Sequence, residues 1–266
     1  LQTFFENAIE IELSMAQFQR LVVSPAQIAA EQIALTMAQQ HYLGHVLRLR
    51  SGDRFIAMNG LGQSWLVALT TQAATAKILE AMQTQTELPI SVTLLMALPK
   101  NGMDEVVRQA TELGIDQIVP ILSDRSLLKP SPQKLDRWQR IAQEAAEQSE
   151  RQMVPGVQAP QTWGEALQIW NTQHSTCYLC AERGTRSHLL SRLQALSAEE
   201  WSRGITIAIG CEGGWTEAEI ESAIAVGYQP ISLGARILRA VTAPVVALSL
   251  VSAVLEENVP QISEST

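Results

Sequence analysis

The chain has 266 residues, 46% of them hydrophobic and 17% charged, with a formal net charge of -8. That length and apolar content suffice for two domains with full cores, and the acidic balance by itself favours a metabolic enzyme over a general nucleic-acid binder, which neutralises phosphates with lysine and arginine. Three cysteines, no bilayer-length apolar run and no basic leader exclude a disulfide framework and a membrane anchor, and predict a soluble, untargeted cytoplasmic protein.

In chain order, Gln19 to Val23 predicts a strand, Ser24-Pro25 opens a helix, and Gln39 to Leu49 is a second helical stretch. Phe55 to Met58 and Trp65 to Leu69 flank Asn59-Gly60-Leu61-Gly62-Gln63-Ser64, a hairpin signature with glycines at the turn. Another strand or two should precede the polar segment Gln83 to Glu87, which is the expected domain boundary. The first domain, 1–86, is thus small and β-rich, and the second is 87–266. Within the first, Arg48, Arg50 and Arg54 lie close to His41 and His45 with only Asp53 opposing them. Such a local basic patch on an acidic protein suffices for a structured polyanion; a merely solvated surface is the plainer alternative.

From Ile90 onward strands alternate with helices, the pattern of a parallel sheet covered on both faces. Ser91 to Leu98 is a buried strand; Met103, Val106, Val107, Ala110 and Leu113 recur at helical spacing, and Gly114 closes that helix. Ile118 to Leu122 is the next strand, and Pro132 precedes a longer helix carrying Leu135, Trp138, Ile141, Ala142 and Ala145 on one face. Thr162 and Glu165 have capping-box spacing. Strands at Thr176 to Ala181, Ile205 to Ile209 and Pro230 to Leu233 complete the sheet. Cys177 and Cys180 form a C-x-x-C, but no second pair completes a zinc site, and residues three apart on a strand point to opposite faces. The last helix, about Ala243 to Glu257, is apolar nearly all round, which predicts burial on more than one side.

The chemistry concentrates near the end of the chain. Ile209-Gly210-Cys211-Glu212-Gly213-Gly214-Trp215-Thr216 follows one apolar strand, and Ser232-Leu233-Gly234-Ala235-Arg236-Ile237-Leu238-Arg239 follows another. Ligands of open α/β sheets bind beyond the carboxyl ends of strands, so paired glycine loops predict one small-molecule pocket. There is no G-x-G-x-x-G and no P-loop, and Glu212 puts a carboxylate where a phosphate would approach. A neutral or cationic ligand held by backbone groups and an apolar slot fits better. Two ordinary βα turns using glycine for positive φ are the bland alternative.

At these residues the chain resembles the SPOUT-class RNA methyltransferases. The resemblance rests on Gly210-x-Glu212-Gly213-Gly214 plus an aromatic, on Leu233-Gly234-x-Arg236-Ile237-Leu238-Arg239, and on Thr242-Ala243. It extends to Lys100, Thr111-Glu112-Leu113-Gly114, Asp124-Arg125-Ser126, the run Glu144 to Ser149 with Arg151, and His41 to Leu49 with Gly52-Asp53, so it spans nearly the whole chain. It implies an α/β protein with an N-terminal PUA-like β-barrel domain that holds RNA and a C-terminal SPOUT domain with a parallel sheet and trefoil knot, forming a homodimer without metal. It also implies transfer of a methyl group from S-adenosylmethionine to N3 of a uridine in 16S ribosomal RNA, with free RNA or the assembled small subunit as partner.

Under that resemblance the cofactor residues are Leu98, Ile209, Gly210, Glu212, Gly213, Gly214, Leu233, Gly234, Ile237, Leu238 and Arg239. Arg236, Arg239 and Arg125 are the candidates for catalysis, stabilising a uracil anion or gripping a phosphate. Arg20, His41, His45, Arg48 and Arg50 are expected to hold RNA, and Gln148 and Arg151 to frame the base. Two positions depart from the family: Cys211 stands where proline is usual, and Val241 where glutamate is usual, so no proton acceptor is assigned. Two other readings stay open: a different acceptor such as a ribose 2′-hydroxyl, and a non-catalytic RNA-binding ribosome assembly factor.

Overall fold

The computed structural model describes residues 18–72, 74–127, 130–171, 173, 175–181 and 186–258. They gather into two compact units, one of the described residues up to Thr86 with Glu147–Met153, the other of Glu87–Ala146 and the described residues from Val154 on.

The first unit is a five-stranded sheet of β1 (Arg20–Val22), β2 (Gln32–Ala34), β3 (Arg54–Met58), β4 (Ser64–Leu69) and β5 (Thr75–Met82) in the order β1-β3-β4-β5-β2. Only β1 and β3 run parallel. The β3-β4 hairpin closes where expected: the Asn59 side-chain carbonyl accepts the Leu61 and Gln63 N–H groups at 2.9 and 3.1 Å, and Gly60 and Gly62 take positive φ. Val23, Ile33, Phe55, Ala57, Val67 and Ala76 form the dry face. Ser24 caps only one 3-10 turn, Pro25–Gln27, and the stretch predicted as a second helix becomes α1 (Met37–His41) followed by a π-helical turn, Tyr42–Val46. Strand β2 went unforeseen because Ile33 alone of its three residues is buried. Residues 147–153 belong here because Glu147 accepts the Val22 N–H at 2.8 Å, Gln152 donates to Ser64 Oγ at 2.7 Å, and Glu150 pairs with Arg20 at 2.7 Å.

The second unit is a wholly parallel sheet of β6 (Val92–Ala97), β7 (Gln117–Leu122), β8 (Gly156–Val157), β9 (Gln161–Thr162), β10 (Thr176–Cys180), β11 (Ile205–Ile209) and β12 (Gln229–Ile231). The order is β12-β10-β11-β6-β7-β8, with β9 also on β7. Strands β6 and β11 are buried at every residue, as continuous apolar runs in a two-sided parallel sheet must be. The connecting helices are α2 (Met103–Glu112), α3 (Pro132–Gln148), α4 (Trp163–Ile169), α5 (Leu189–Gln194), α6 (Ala198–Ser202), α7 (Glu217–Ala225) and α8 (Thr242–Asn258). One face packs Leu94, Met96, Tyr178 and Ile207 with Trp138 of α3 and Leu248 and Val251 of α8; the other packs Leu95, Ala97, Leu179 and Ala208 with Trp163, Trp215 and Tyr228. Cys177 belongs to the second face and Cys180 to the first, as their spacing requires. Helix α8 buries Ala247, Leu248, Val251, Val254 and Leu255, while Val245, Val246 and Leu250 are only half-buried. Among the described residues its Val245, Val246 and Leu250 side thus stays part-exposed, where the composition predicts burial on more than one side, within one core or across a subunit interface.

Candidate cofactor site at the glycine loops

Strand order brings β12, β10 and β11 side by side, so the segments that leave their carboxyl ends converge. Between them lies a cavity of about 630 Å³, within the range of small-molecule and cofactor sites.

The segment after β11 is folded tightly on itself. A side chain on Gly210 would place its Cβ 3.1 Å from the Gly214 Cα, and Gly214 itself has φ 65°. Both carboxylate oxygens of Glu212 accept the Lys100 backbone N–H, at 3.0 and 3.1 Å, tying this loop to the one that follows β6. Arg125 lies over the loop and donates from Nη1 to the carbonyls of Gly213 at 2.6 Å and Trp215 at 3.2 Å. A Cβ on Gly213 would sit 3.1 Å from that arginine's own Cβ, close enough to crowd it. The loop ends at the Thr216–Glu219 capping box of α7. Glu219, only 5% exposed, also accepts the Asp124 N–H at 2.9 Å and so holds the turn after β7 that carries Arg125. Trp215 packs on Trp163 with ring centroids 4.5 Å apart, and its buried indole N–H has no partner.

The segment after β12 is held more lightly. The Ser232 hydroxyl accepts the Gly234 N–H and donates to the Gly234 carbonyl, both at 3.1 Å, and Gly234 takes φ 120°. Arg236 and Arg239 are exposed and Ile237 is 74% exposed, while the Arg239 carbonyl accepts the Thr242 and Ala243 N–H groups that begin α8.

Of the residues expected around the cofactor, the cavity wall contains Ile209, Gly210, Gly213, Gly214, Leu233, Gly234, Ile237 and Leu238, together with Arg125 and Arg236. Leu98 is fully buried in the core, and Glu212 and Arg239 stand outside the wall. Glu212 is instead engaged by the Lys100 backbone N–H. A third segment was not foreseen. Cys180, the last residue of β10, and Ala181 and Arg186 beyond it also line the cavity, because β10 lies between the two strands whose loops were recognised. Burial pushes the Cys180 thiol above its ordinary range, so it is a protonated part of the wall at neutral pH. The wall offers what an adenosine carrying a sulfonium needs: backbone polar groups at the glycines, apolar faces at Ile209, Leu233 and Leu238, and unpartnered buried donors at Trp215 and Arg186.

The residues expected to meet RNA are in the first unit. His41 and His45 are exposed and stacked with centroids 4.7 Å apart; Arg48 is exposed with φ 59°, and Arg50 is exposed with its backbone N–H bonded to Asp53. Arg20 is engaged by Glu150, its side chain 9% exposed. Gln148 is exposed, whereas Arg151 is 2% exposed. Among the described residues no helix is long and apolar enough to cross a membrane, and no group of three His, Cys, Asp or Glu side chains could hold a metal.

Residues 86–252 match the family model of the RNA methyltransferase domain, and residues 35–79 that of the RNA methyltransferase PUA domain. Fold and site thus define the class as an RNA methyltransferase with a PUA domain. The ribosomal RNA small subunit methyltransferase E of Synechocystis is 49% identical over 239 residues, 89% of this chain and 78% of that protein. Its counterpart in Bacillus subtilis is 31% identical over 84% of this chain and 90% of that protein. The crystal structure of the Neisseria gonorrhoeae enzyme of the same name, bound to S-adenosylmethionine, has a TM-score of 0.80 at 28% identity, covering 89% of this chain and 98% of that one. The chain belongs to the ribosomal RNA small subunit methyltransferase E family.

Proposed function

We propose that this protein methylates N3 of a uridine in 16S ribosomal RNA, with S-adenosylmethionine as the methyl donor. The observation that carries the reading is the cavity at the carboxyl ends of β12, β10 and β11, walled by both glycine loops. When bound, S-adenosylmethionine supplies the methyl group. The chain's own contribution is to hold the glycine loop rigid through Arg125, Glu212 and Glu219 and to set Arg236 at the cavity wall beside exposed Arg239. A guanidinium near the uracil carbonyls favours the deprotonated base by stabilising the charge that forms as N3 loses its proton. The exposed His41, His45, Arg48 and Arg50 of the PUA domain hold the surrounding RNA, and the target base leaves its stack to reach the cavity.

The half-buried row Val245, Val246 and Leu250 of α8 supports a homodimer, and three free thiols suit a cytoplasmic setting. A monomeric mass in analytical ultracentrifugation overturns the dimer.

Transfer of labelled methyl groups to small subunits, followed by mass spectrometry of nucleosides, tests the activity. Label on uracil N3 is expected. Label on a ribose 2′-hydroxyl replaces the acceptor, and cofactor binding without transfer favours the assembly-factor reading. That second reading draws on Val241, whose side chain fills the space over Gly102, 2.6 Å from where a Cβ there would lie, and places no ionisable group at that position.

A further inference from the structure

The cavity wall carries three arginines among the described residues. Arg125 is committed to the Gly213 and Trp215 carbonyls, and Arg236 is exposed to solvent. Arg186 differs from both, because its Nη1 is buried and has no hydrogen-bond partner. Its backbone is not loose: the next residue, Ser187, accepts the Ser232 N–H at 3.0 Å, and Leu189 donates to the Ser232 carbonyl at 2.9 Å. The segment after β10 is thereby stitched to the segment after β12, with His188 bridging to Ser232 in parallel.

A guanidinium stays charged at any physiological pH and accepts nothing, so an open buried donor on it is costly unless an anion completes it. S-adenosylmethionine carries a neutral nucleoside, a cationic sulfonium, an ammonium and one anion, the α-carboxylate. We propose that Arg186 is the carboxylate anchor of this site, pairing with the amino-acid end of the cofactor and thereby selecting sulfonium nucleosides that carry a carboxylate. This deepens the cofactor reading above and rests on it. No local signal marks the role, since Arg186 lies outside both glycine motifs.

Titration calorimetry on the full chain tests it, comparing the unchanged protein with Arg186→Gln against three probes: S-adenosylmethionine, its decarboxylated analogue, and 5′-methylthioadenosine. Loss of a charge-assisted hydrogen bond predicts that Arg186→Gln weakens S-adenosylmethionine roughly 10- to 100-fold. The decarboxylated analogue should bind both proteins alike and more weakly than S-adenosylmethionine binds the unchanged one. Equal affinity of both proteins for methylthioadenosine shows that the variant's cavity is intact. Equal weakening of all three probes overturns the proposal, because the effect is then structural. Unchanged S-adenosylmethionine affinity with weakened RNA binding overturns it in favour of a phosphate partner. If the unchanged protein ignores all three probes, the cofactor reading itself falls, and that result is distinct from either.

Discussion

The turn after β11 is tied to its surroundings by Glu212, Arg125 and Glu219, whereas the turn after β12 is stitched to the segment after β10 only at Ser232, closes on itself through that side chain, and leaves Arg236, Ile237 and Arg239 exposed. Both line or border one cavity, yet they answer to different demands. A loop that holds a cofactor by backbone groups must have its N–H and C=O vectors set before the ligand arrives, since each rotatable group frozen on binding costs affinity. A segment that meets a large RNA gains from side chains that can adjust. We propose a division of labour within that one cavity, with the β11 turn as a preset cofactor cradle and Arg236, Ile237 and Arg239 at the rim of the β12 turn as an adjustable acceptor face.

The division fails if variants of the two turns have the same phenotype. The largest effect is expected from Arg236→Gln, which removes a donor to the developing charge: kcat should fall about 100-fold, with S-adenosylmethionine affinity unchanged in calorimetry. A parallel loss of cofactor affinity would place Arg236 in the cradle instead. Gly210→Val forces side-chain atoms toward the Gly214 backbone and should destabilise the protein by about 1–3 kcal/mol in urea unfolding, with loss of cofactor saturation. Glu212→Ala frees the Lys100 N–H and the loop after β6; the Kd for S-adenosylmethionine should rise about tenfold, while single-turnover transfer at saturating cofactor is retained. Ile237→Ser, at a 74% exposed position, should shift stability by less than about 0.5 kcal/mol and raise only the KM for RNA. If it lowers cofactor affinity as Glu212→Ala does, the two turns are not distinct.

A pH measurement sharpens the same picture from inside the cavity. Burial raises the Cys180 pKa, so the reactive thiolate is scarce at neutral pH. Iodoacetamide labelling should begin to climb only at higher pH than for an exposed cysteine, and bound S-adenosylmethionine should slow it further. Labelling of Cys180 at neutral pH as fast as that of a free thiol would show that the wall is open to solvent.

Much of this was legible in the residues. The Thr162–Glu165 capping box forms as its spacing implied, and Thr216–Glu219 makes a second of the same spacing, because a cap is made by groups three residues apart. Buried apolar runs read correctly as β6 and β11, since only a two-sided sheet tolerates them. The family motifs marked both glycine loops, and most residues predicted around them do line the cavity. Less was legible where short segments carry little pattern. Strands β8 and β9 have two residues each, and Pro25–Gln27 stops after one turn although its cap is sound. Arg151 and Arg20 read as surface cations; the structure buries the first and pairs the second with Glu150, because partners 130 residues apart leave no mark on either neighbourhood.

By itself the sequence determined the longer strands and helices of the second unit, the β3-β4 hairpin, which glycines make the turns, and the family to which the whole belongs. These follow from interactions within a few residues, or from motifs that stay intact when read linearly. Only the tertiary structure decided that β10 lies between β11 and β12, and hence that Cys180 and Arg186 share a cavity with both glycine loops. Neighbours in a parallel sheet are selected by burying whole faces against helices drawn from distant parts of the chain, and no local pattern carries that choice.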